Sequence, residues 1–235
     1  MRTWACILAA AAVGLAACDE AKPRHPPPEP APPYADRAPP LGSAERPGLA
    51  KWNAQAGVFE MDGQALHTAR LWTFDGATDG FTASNAEATI EPSGGLRLVN
   101  RGADAILLSP KGLDIPGGRY PLVLVRLTRV KAGGQWAGAL FYITAQHQAA
   151  EQFRGNAKDM RGPEVGETMT LVYDMRQMPA ASDWANSAID QLRFDSDDAP
   201  GGEFVIRQVA VAAAPQPPAP PEGAAAPAPA PAPGA

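Results

Sequence analysis

Hydrophobic and polar residues follow one another through the middle of the chain in short runs, broken by glycine, proline and aspartate. Runs rich in β-branched and aromatic residues recur at Ala69–Asp75, Ala88–Glu91, Leu96–Asn100, Ile106–Ser109, Tyr120–Val130, Trp136–Thr144, Met169–Asp174, Ile189–Asp195 and Phe204–Val211. Each has the length and composition of a strand. Between them sit turn clusters such as Asp79-Gly80, Pro92-Ser93-Gly94-Gly95, Pro116-Gly117-Gly118, Ala132-Gly133-Gly134 and Pro200-Gly201-Gly202, which punctuate the backbone. A short helical stripe is confined to Leu49–Gln55, with a turn near Ala145–Gln152. Many short strands with Gly/Pro turns predict an all-β fold, an antiparallel β-sandwich of jelly-roll type.

The run from Tyr120 to Val130 adds a detail. Leu122 and Leu124 point to one face, and Val123, Val125 and Leu127 to the other. A strand exposed on one side alternates apolar with polar residues, so this one predicts cover on both sides. Phe204–Val211 reads the same way. Pro121 near the strand start is tolerated there.

Proline marks the boundaries. Of 26 prolines, ten fall in residues 19–50 and nine in residues 215–233. Segments of that composition cannot bury a core and favour polyproline II. The expected organisation is a leader at 1–17, a stalk at 18–50, a β-sandwich domain at 51–213 and a disordered Pro/Ala-rich tail at 214–235. An extended stalk of this length reaches roughly 90 Å.

The leader carries the sharpest local motif. Arg2 precedes an apolar run from Trp4 to Gly14, followed by Leu15-Ala16-Ala17-Cys18. The run is too short to cross a bilayer and ends in small residues of cleavage type. It resembles a bacterial lipoprotein signal peptide with its lipobox. That resemblance implies lipidation of Cys18 and a partner membrane held through its acyl chains, with the domain in the cell envelope facing the periplasm. Cys6 would leave with the leader, so no thiol remains for a disulfide, a metal cluster or a nucleophile. Asp19 after the lipidated cysteine resembles an inner-membrane retention signal, placing the inner membrane ahead of the outer. The net charge of −5 and the lack of basic runs argue against nucleic acid as a partner.

Several phrases of the middle segment resemble the carbohydrate-binding, galactose-binding-like jelly rolls of bacterial envelope and polysaccharide-active proteins. They are Trp72-x-Phe74 with Asp79-Gly80-Phe81, Val125-Arg126-Leu127, Ala139-Leu140-Phe141-Tyr142, Tyr173-Asp174-Met175, Ile189–Asp195 and Pro200–Ile206. The resemblance implies a sandwich that hosts sugar binding, protein docking or a structural role. Members of such families often hold a structural calcium, a site with no mapped counterpart here. No other cofactor is implied.

A sugar site on a sandwich needs a flat ring and fixed polar groups. Trp136, Leu140 and Tyr142 share one face of their strand, Arg126 shares a face with Leu122 and Leu124, and Arg193 alternates with Gln191 and Asp195. If those faces coincide, Arg126, Tyr142, Gln191 and Arg193 line one groove, with Trp136 at its rim. The competing reading puts Trp136 and Tyr142 in the core and pairs Arg126 and Arg193 with acidic residues. Trp72 and Trp184, each beside a strand and a turn, read as core residues.

Asp195-Ser196-Asp197-Asp198 with Glu203 gathers hard oxygen ligands. Ala199 and Pro200 break the EF-hand pattern, leaving a solvated acidic turn as the simpler reading. His25, His67 and His147 form no zinc motif, and no nucleophile elbow, P-loop or dinucleotide fingerprint is present. The expectation is a non-catalytic saccharide-binding or docking protein. A polysaccharide hydrolase requires a pair of carboxylates, for which Glu151, Asp174, Asp195 and Glu203 are the candidates.

Overall fold

A run apolar at every position from Leu122 to Val125 cannot rest against one layer, and the chain surrounds it with two. The computed structural model describes residues 45–216. Cys18, the leader, most of the proline-rich stalk and the tail beyond Gln216 lie outside the described residues. In chain order the strands are β1 (Ala50–Asn53), β2 (Val58–Met61), β3 (Gln64–Ala65), β4 (Thr68–Trp72), β5 (Thr82–Ser84), β6 (Ala86–Ile90), β7 (Leu96–Asn100) and β8 (Ile106–Leu108). They continue with β9 (Ile115–Pro116), β10 (Leu122–Lys131), β11 (Trp136–Thr144), β12 (Arg154–Asn156), β13 (Thr168–Asp174), β14 (Ala188–Asp197) and β15 (Glu203–Ala212). One α-helix, α1 (Ala181–Asn186), precedes β14. No helix among the described residues is long and apolar enough to cross a membrane.

Two six-stranded antiparallel sheets form the sandwich. The first runs β13-β10-β15-β7-β6, and β4 pairs with the second half of β15. The second runs β12-β11-β14-β8-β5, with β9 on the start of β14. This is the expected antiparallel jelly-roll sandwich. Val123, Val125 and Leu127 of β10 meet Leu140 and Tyr142 of β11 and Leu192 and Phe194 of β14 in the core between the sheets. Each fully buried large side chain there contributes about 1.5–3 kcal/mol.

The other face of β10 is covered too. β1, β2 and β3 form a small meander whose Phe59 and Met61 pack on Leu122, Leu124, Val172, Ala210 and Ala212. Two-sided cover of β10 and β15 therefore holds. The second cover comes from a segment whose sequence misleads: Ala50–Asn53 is a strand, not part of a helix at Leu49–Gln55. Its residues pair from Ala50 opposite Met61 to Asn53 opposite Val58. The β2–β3 connection is Asp62-Gly63, both with positive φ (52° and 76°), the backbone of a two-residue hairpin turn matched to strand twist.

The fold also begins earlier than residue 51. Glu45 forms a parallel bridge with Thr168. The Arg46 guanidinium, 8% exposed, pairs with Glu167 and donates to the carbonyls of Arg161 and Gly162. Residues 45–50, assigned to the stalk by composition, belong to the sandwich. Proline content locates the change in composition but not the last tertiary contact.

Candidate functional site

The meander covers only part of the outer face of the first sheet. Along β10 the outward positions pass from Leu122 and Leu124 to Arg126 and Thr128, and their partners on β15 pass from Ala212 and Ala210 to Gln208. Where the apolar positions end, the face opens into a groove of about 320 Å3, at the lower end of the ~300–1,000 Å3 typical of small-molecule sites. Glu45, Thr73, Asp75, Ser93, Arg126 and Arg207 are among its lining residues, with Gln208 beside Arg126.

Two backbone irregularities shape it. The β10–β15 register shifts between Arg126, opposite Gln208, and Leu127, opposite Ile206, so Arg207 is the extra residue of a bulge. A regular strand would send Arg207 and Gln208 to opposite faces; the bulge lets both line the groove. On the other side, Phe74 is fully buried with φ of 56°, a costly conformation for a bulky side chain. It is held by a hydrogen bond from its N–H to Asp79 and by the N–H groups of Gly76 and Gly95 donating to its carbonyl. The flanking Thr73 and Asp75 are thereby set at the groove. Gly95 closes the floor: a Cβ there would lie 2.8 Å from Val205 Cγ1 and 3.0 Å from the Ile206 carbonyl.

The polar atoms are partly committed. Arg126 donates Nε and Nη2 to the two carboxylate oxygens of Glu45, both at 2.9 Å, and Nη1 to Gln208 Oε1 at 3.0 Å. Arg207 donates Nη1 to the Gly94 carbonyl at 2.7 Å and Nε to Thr128 Oγ1 at 3.4 Å. Thr73 Oγ1 donates to Asp75 Oδ2 at 2.6 Å. Arg207 Nη2, Gln208 Nε2, Ser93 Oγ and Asp75 Oδ1 have no hydrogen-bond partner among the described residues. Burial, then repulsion from Arg126, lowers the Arg207 pKa against the attraction of Glu91. The groove thus presents open donors and an open acceptor, the complement of a polyhydroxylated ligand.

Of the residues proposed from sequence, Arg126 alone is in this groove. Trp136, Tyr142, Gln191 and Arg193 are all on the second sheet. Tyr142 is fully buried and faces Leu192 across β11 and β14. Trp136 packs at the edge of the core, its ring 6.4 Å from Phe194 and 5.8 Å from Phe204, with the Arg129 guanidinium 5.9 Å over it. Gln191 is buried and donates to the Ser109 carbonyl at 2.7 Å. Arg193 lies on the opposite face from Tyr142, over the Phe141 ring at 5.0 Å, and pairs with Asp195 and Asp104. The single groove built from these five side chains does not form. The faces were assigned correctly within each strand, but the face shared by Trp136 and Tyr142 is the core face.

The candidate carboxylates are engaged as well. Glu151 pairs with Arg154, Asp174 with Arg176 and Lys158, Asp195 with Arg193 and Glu203 with Arg97. Burial raises the Asp195 pKa despite its arginine partner. Asp197 is neither a calcium ligand in a built cage nor part of a solvated turn. It is a buried strand residue whose two oxygens accept from Arg129 Nη2 at 3.0 Å and whose Oδ2 accepts from the Gly133 N–H at 2.9 Å. No group of His, Cys, Asp and Glu side chains among the described residues is arranged to hold a metal ion.

A cluster that sequence reasoning missed joins Tyr142, His147 and Asp183. Tyr142 donates to Asp183 Oδ2 at 2.7 Å, His147 Nε2 lies 2.9 Å from the same oxygen, and the imidazole stacks on Phe153 at 3.4 Å. Burial pushes the Asp183 carboxyl up, but the hydrogen bonds from Tyr142 and His147 outweigh it and hold it below the ordinary range. Burial, then Asp183, raises the Tyr142 hydroxyl. The second imidazole nitrogen faces the Gln148 carbonyl at 3.1 Å. Both nitrogens are therefore committed to oxygens, and neither is open to a nucleophile in this arrangement. The cluster pins α1 and the turn after β11 to the sandwich.

No protein-family model matches the chain, and no curated protein matches it. Among solved structures, a conserved carbohydrate esterase from Shiga toxin-encoding bacteriophage phi24B is similar at 11% identity, over 63% of this chain and 99% of that one, with a TM-score of 0.38. The C-terminal CBM6 of LamC, a marine laminarinase from Zobellia galactanivorans, is similar at 10% identity, over 55% of this chain and 90% of that one, with a TM-score of 0.31. Likenesses this loose transfer no residue role to the chain.

Proposed function

We propose that this chain is a non-catalytic, lipid-anchored envelope protein whose jelly roll binds a saccharide in the Arg126–Arg207 groove. The observation that carries the reading is the bulge at Arg207, which sets two consecutive polar side chains beside Arg126 while leaving donors unpaired. Sugar hydroxyls donate and accept at short range, and Arg207, Gln208, Ser93 and Asp75 offer both complements. No aromatic ring lines the groove among the described residues, so affinity there rests on hydrogen bonds rather than on ring stacking. Arg207 sits within a bulge and its floor is a glycine that tolerates no Cβ, features that cost backbone freedom and that a plain sheet surface would not need.

Binding of the full chain to an array of capsule, peptidoglycan and exopolysaccharide fragments tests this. Arg207→Met is expected to weaken the bound glycan by about 10-fold or more, since a hydrogen bond to a charged group contributes about 1.5–3 kcal/mol. An array with no bound glycan, or an Arg207→Met chain that binds as the original does, removes the proposal.

The anchor is carried by Leu15-Ala16-Ala17-Cys18. Two acyl chains hold a protein stably at a bilayer where one does not, and the proline-rich segment would carry the domain away from the surface. The periplasmic face of the inner membrane is the proposed address, from Asp19. Labelled palmitate should enter the chain in cells and be lost in Cys18→Ser, whereas label retained by that variant places the lipid elsewhere.

A further inference from the structure

The groove already holds a carboxylate, and it is the protein's own. Glu45 presents both oxygens to Nε and Nη2 of Arg126, each at 2.9 Å. Two parallel N–H···O bonds from one guanidinium are the fork geometry by which arginine recognises carboxylates. The Glu45 side chain remains 37% exposed, so its head group can leave without opening the core. Its main chain need not move with it. The bridge to Thr168 and the half-buried Arg46–Glu167 pair hold residues 45 and 46 against β13.

The charge pattern around this pair is equally specific. Among the described residues, four charged side chains line the groove: Glu45, Asp75, Arg126 and Arg207. Arg207 makes no ion pair among the described residues, and Asp75 is turned toward the Thr73 hydroxyl. With Glu45 seated, the four charges balance. If Glu45 swings out, two guanidinium groups face one carboxylate, and a ligand bearing a carboxylate restores the balance. A neutral sugar would leave Arg126 either unpaired or still occupied by Glu45.

We propose that the groove takes a uronic-acid saccharide, whose carboxylate replaces that of Glu45 on Arg126, so that Glu45 is a built-in competitor for the site. This deepens the saccharide reading and rests on it. The sugar hydroxyls then meet Arg207 Nη2, Gln208 Nε2 and Ser93 Oγ, the donors left open beside Arg126. Glu45, just before β1, therefore controls access to the site.

Calorimetric titration of the full chain with trimers of galacturonate, glucuronate and mannuronate, each against the matching neutral hexose trimer, tests the inference. At least one uronate trimer is expected to bind about 10-fold tighter than its neutral counterpart. Glu45→Ala is expected to tighten uronate binding further, by several-fold, because the competitor is gone. Equal affinity for a uronate and its neutral partner overturns the acidic-sugar inference and leaves saccharide binding intact. No binding by any of the trimers overturns both. Weaker uronate binding by Glu45→Ala makes Glu45 a contact rather than a competitor and overturns that part. The comparison of sugars uses the unaltered chain, so it stands whatever the stability of the variant.

Discussion

Arg129→Met is expected to cost about 3–5 kcal/mol of folding stability, the usual loss when one partner of a buried ion pair is removed. The Asp197 side chain is wholly buried and takes Arg129 Nη2 on both oxygens. What remains after the substitution is a carboxylate out of water with only backbone N–H groups of Gly133 and Gly134 for company. Methionine preserves much of the packing against Trp136 and Phe204, whose rings lie 5.9 and 5.8 Å from the guanidinium. The loss should therefore be electrostatic. Denaturant melts at an unchanged slope measure it. Adding Asp197→Asn to Arg129→Met is expected to recover part of the loss, because the uncompensated charge disappears. A double variant less stable than Arg129→Met alone contradicts this account of the pair.

Trp184→Ala is expected to cost about 3–5 kcal/mol as well, the range for emptying a large aromatic site. Trp184 is 1% exposed on the short helix α1, and its indole N–H donates to the Gly117 carbonyl at 2.9 Å. Its ring meets Tyr142 edge-on at 5.0 Å. A helix of six residues has almost no stability of its own, so its tertiary contacts hold it, and Trp184 is the apolar one beside the polar tie of Asp183 to Tyr142 and His147. The Gly117 turn is built around the same residue: a Cβ on Gly117 would lie 2.0 Å from the Trp184 carbonyl. Trp184→Phe should recover much of the packing but not the hydrogen bond, and fall between the two. A Trp184→Ala protein as stable as the original would show that α1 is held by something else.

Those two sites also show what the sequence made legible. Apolar runs bounded by turn residues, such as Leu96–Asn100 and Trp136–Thr144, appear as strands with the bounds read from the sequence. The two-faced pattern of Leu122–Leu127 correctly called for cover on both sides, since parity within a strand is a local property. The meander that supplies this cover was misread because Ala50–Asn53 mixes a lysine, a tryptophan and an asparagine, and its pairing with Val58–Met61 is what makes it a strand. α1 was invisible because its anchors act at a distance in sequence: Trp184 through a turn 67 positions away and Asp183 through Tyr142, 41 positions away.

The site was harder for a related reason. Arg126 was legible, as a charge on an apolar strand. Its neighbours come from the chain before β1, the turn after β4, the turn before β7 and the bulge in β15. No spacing rule joins those segments; tertiary pairing does. The bulge also breaks the alternation that a reader of β15 would apply, placing Arg207 and Gln208 together where parity separates them. Trp136 and Tyr142 failed as ligands because an aromatic face on a strand has the same pattern whether it turns to a sugar or to the opposite sheet.

The measurement that bears most directly on the groove is a chemical-shift map of the isotopically labelled full chain, titrated with whichever glycan it binds. The expected result is that the largest shifts fall at Thr73–Asp75, Ser93–Gly95, Arg126 and Arg207–Gln208. Largest shifts at Phe141, Gln191 and Arg193, on the outer face of the opposite sheet, would contradict it.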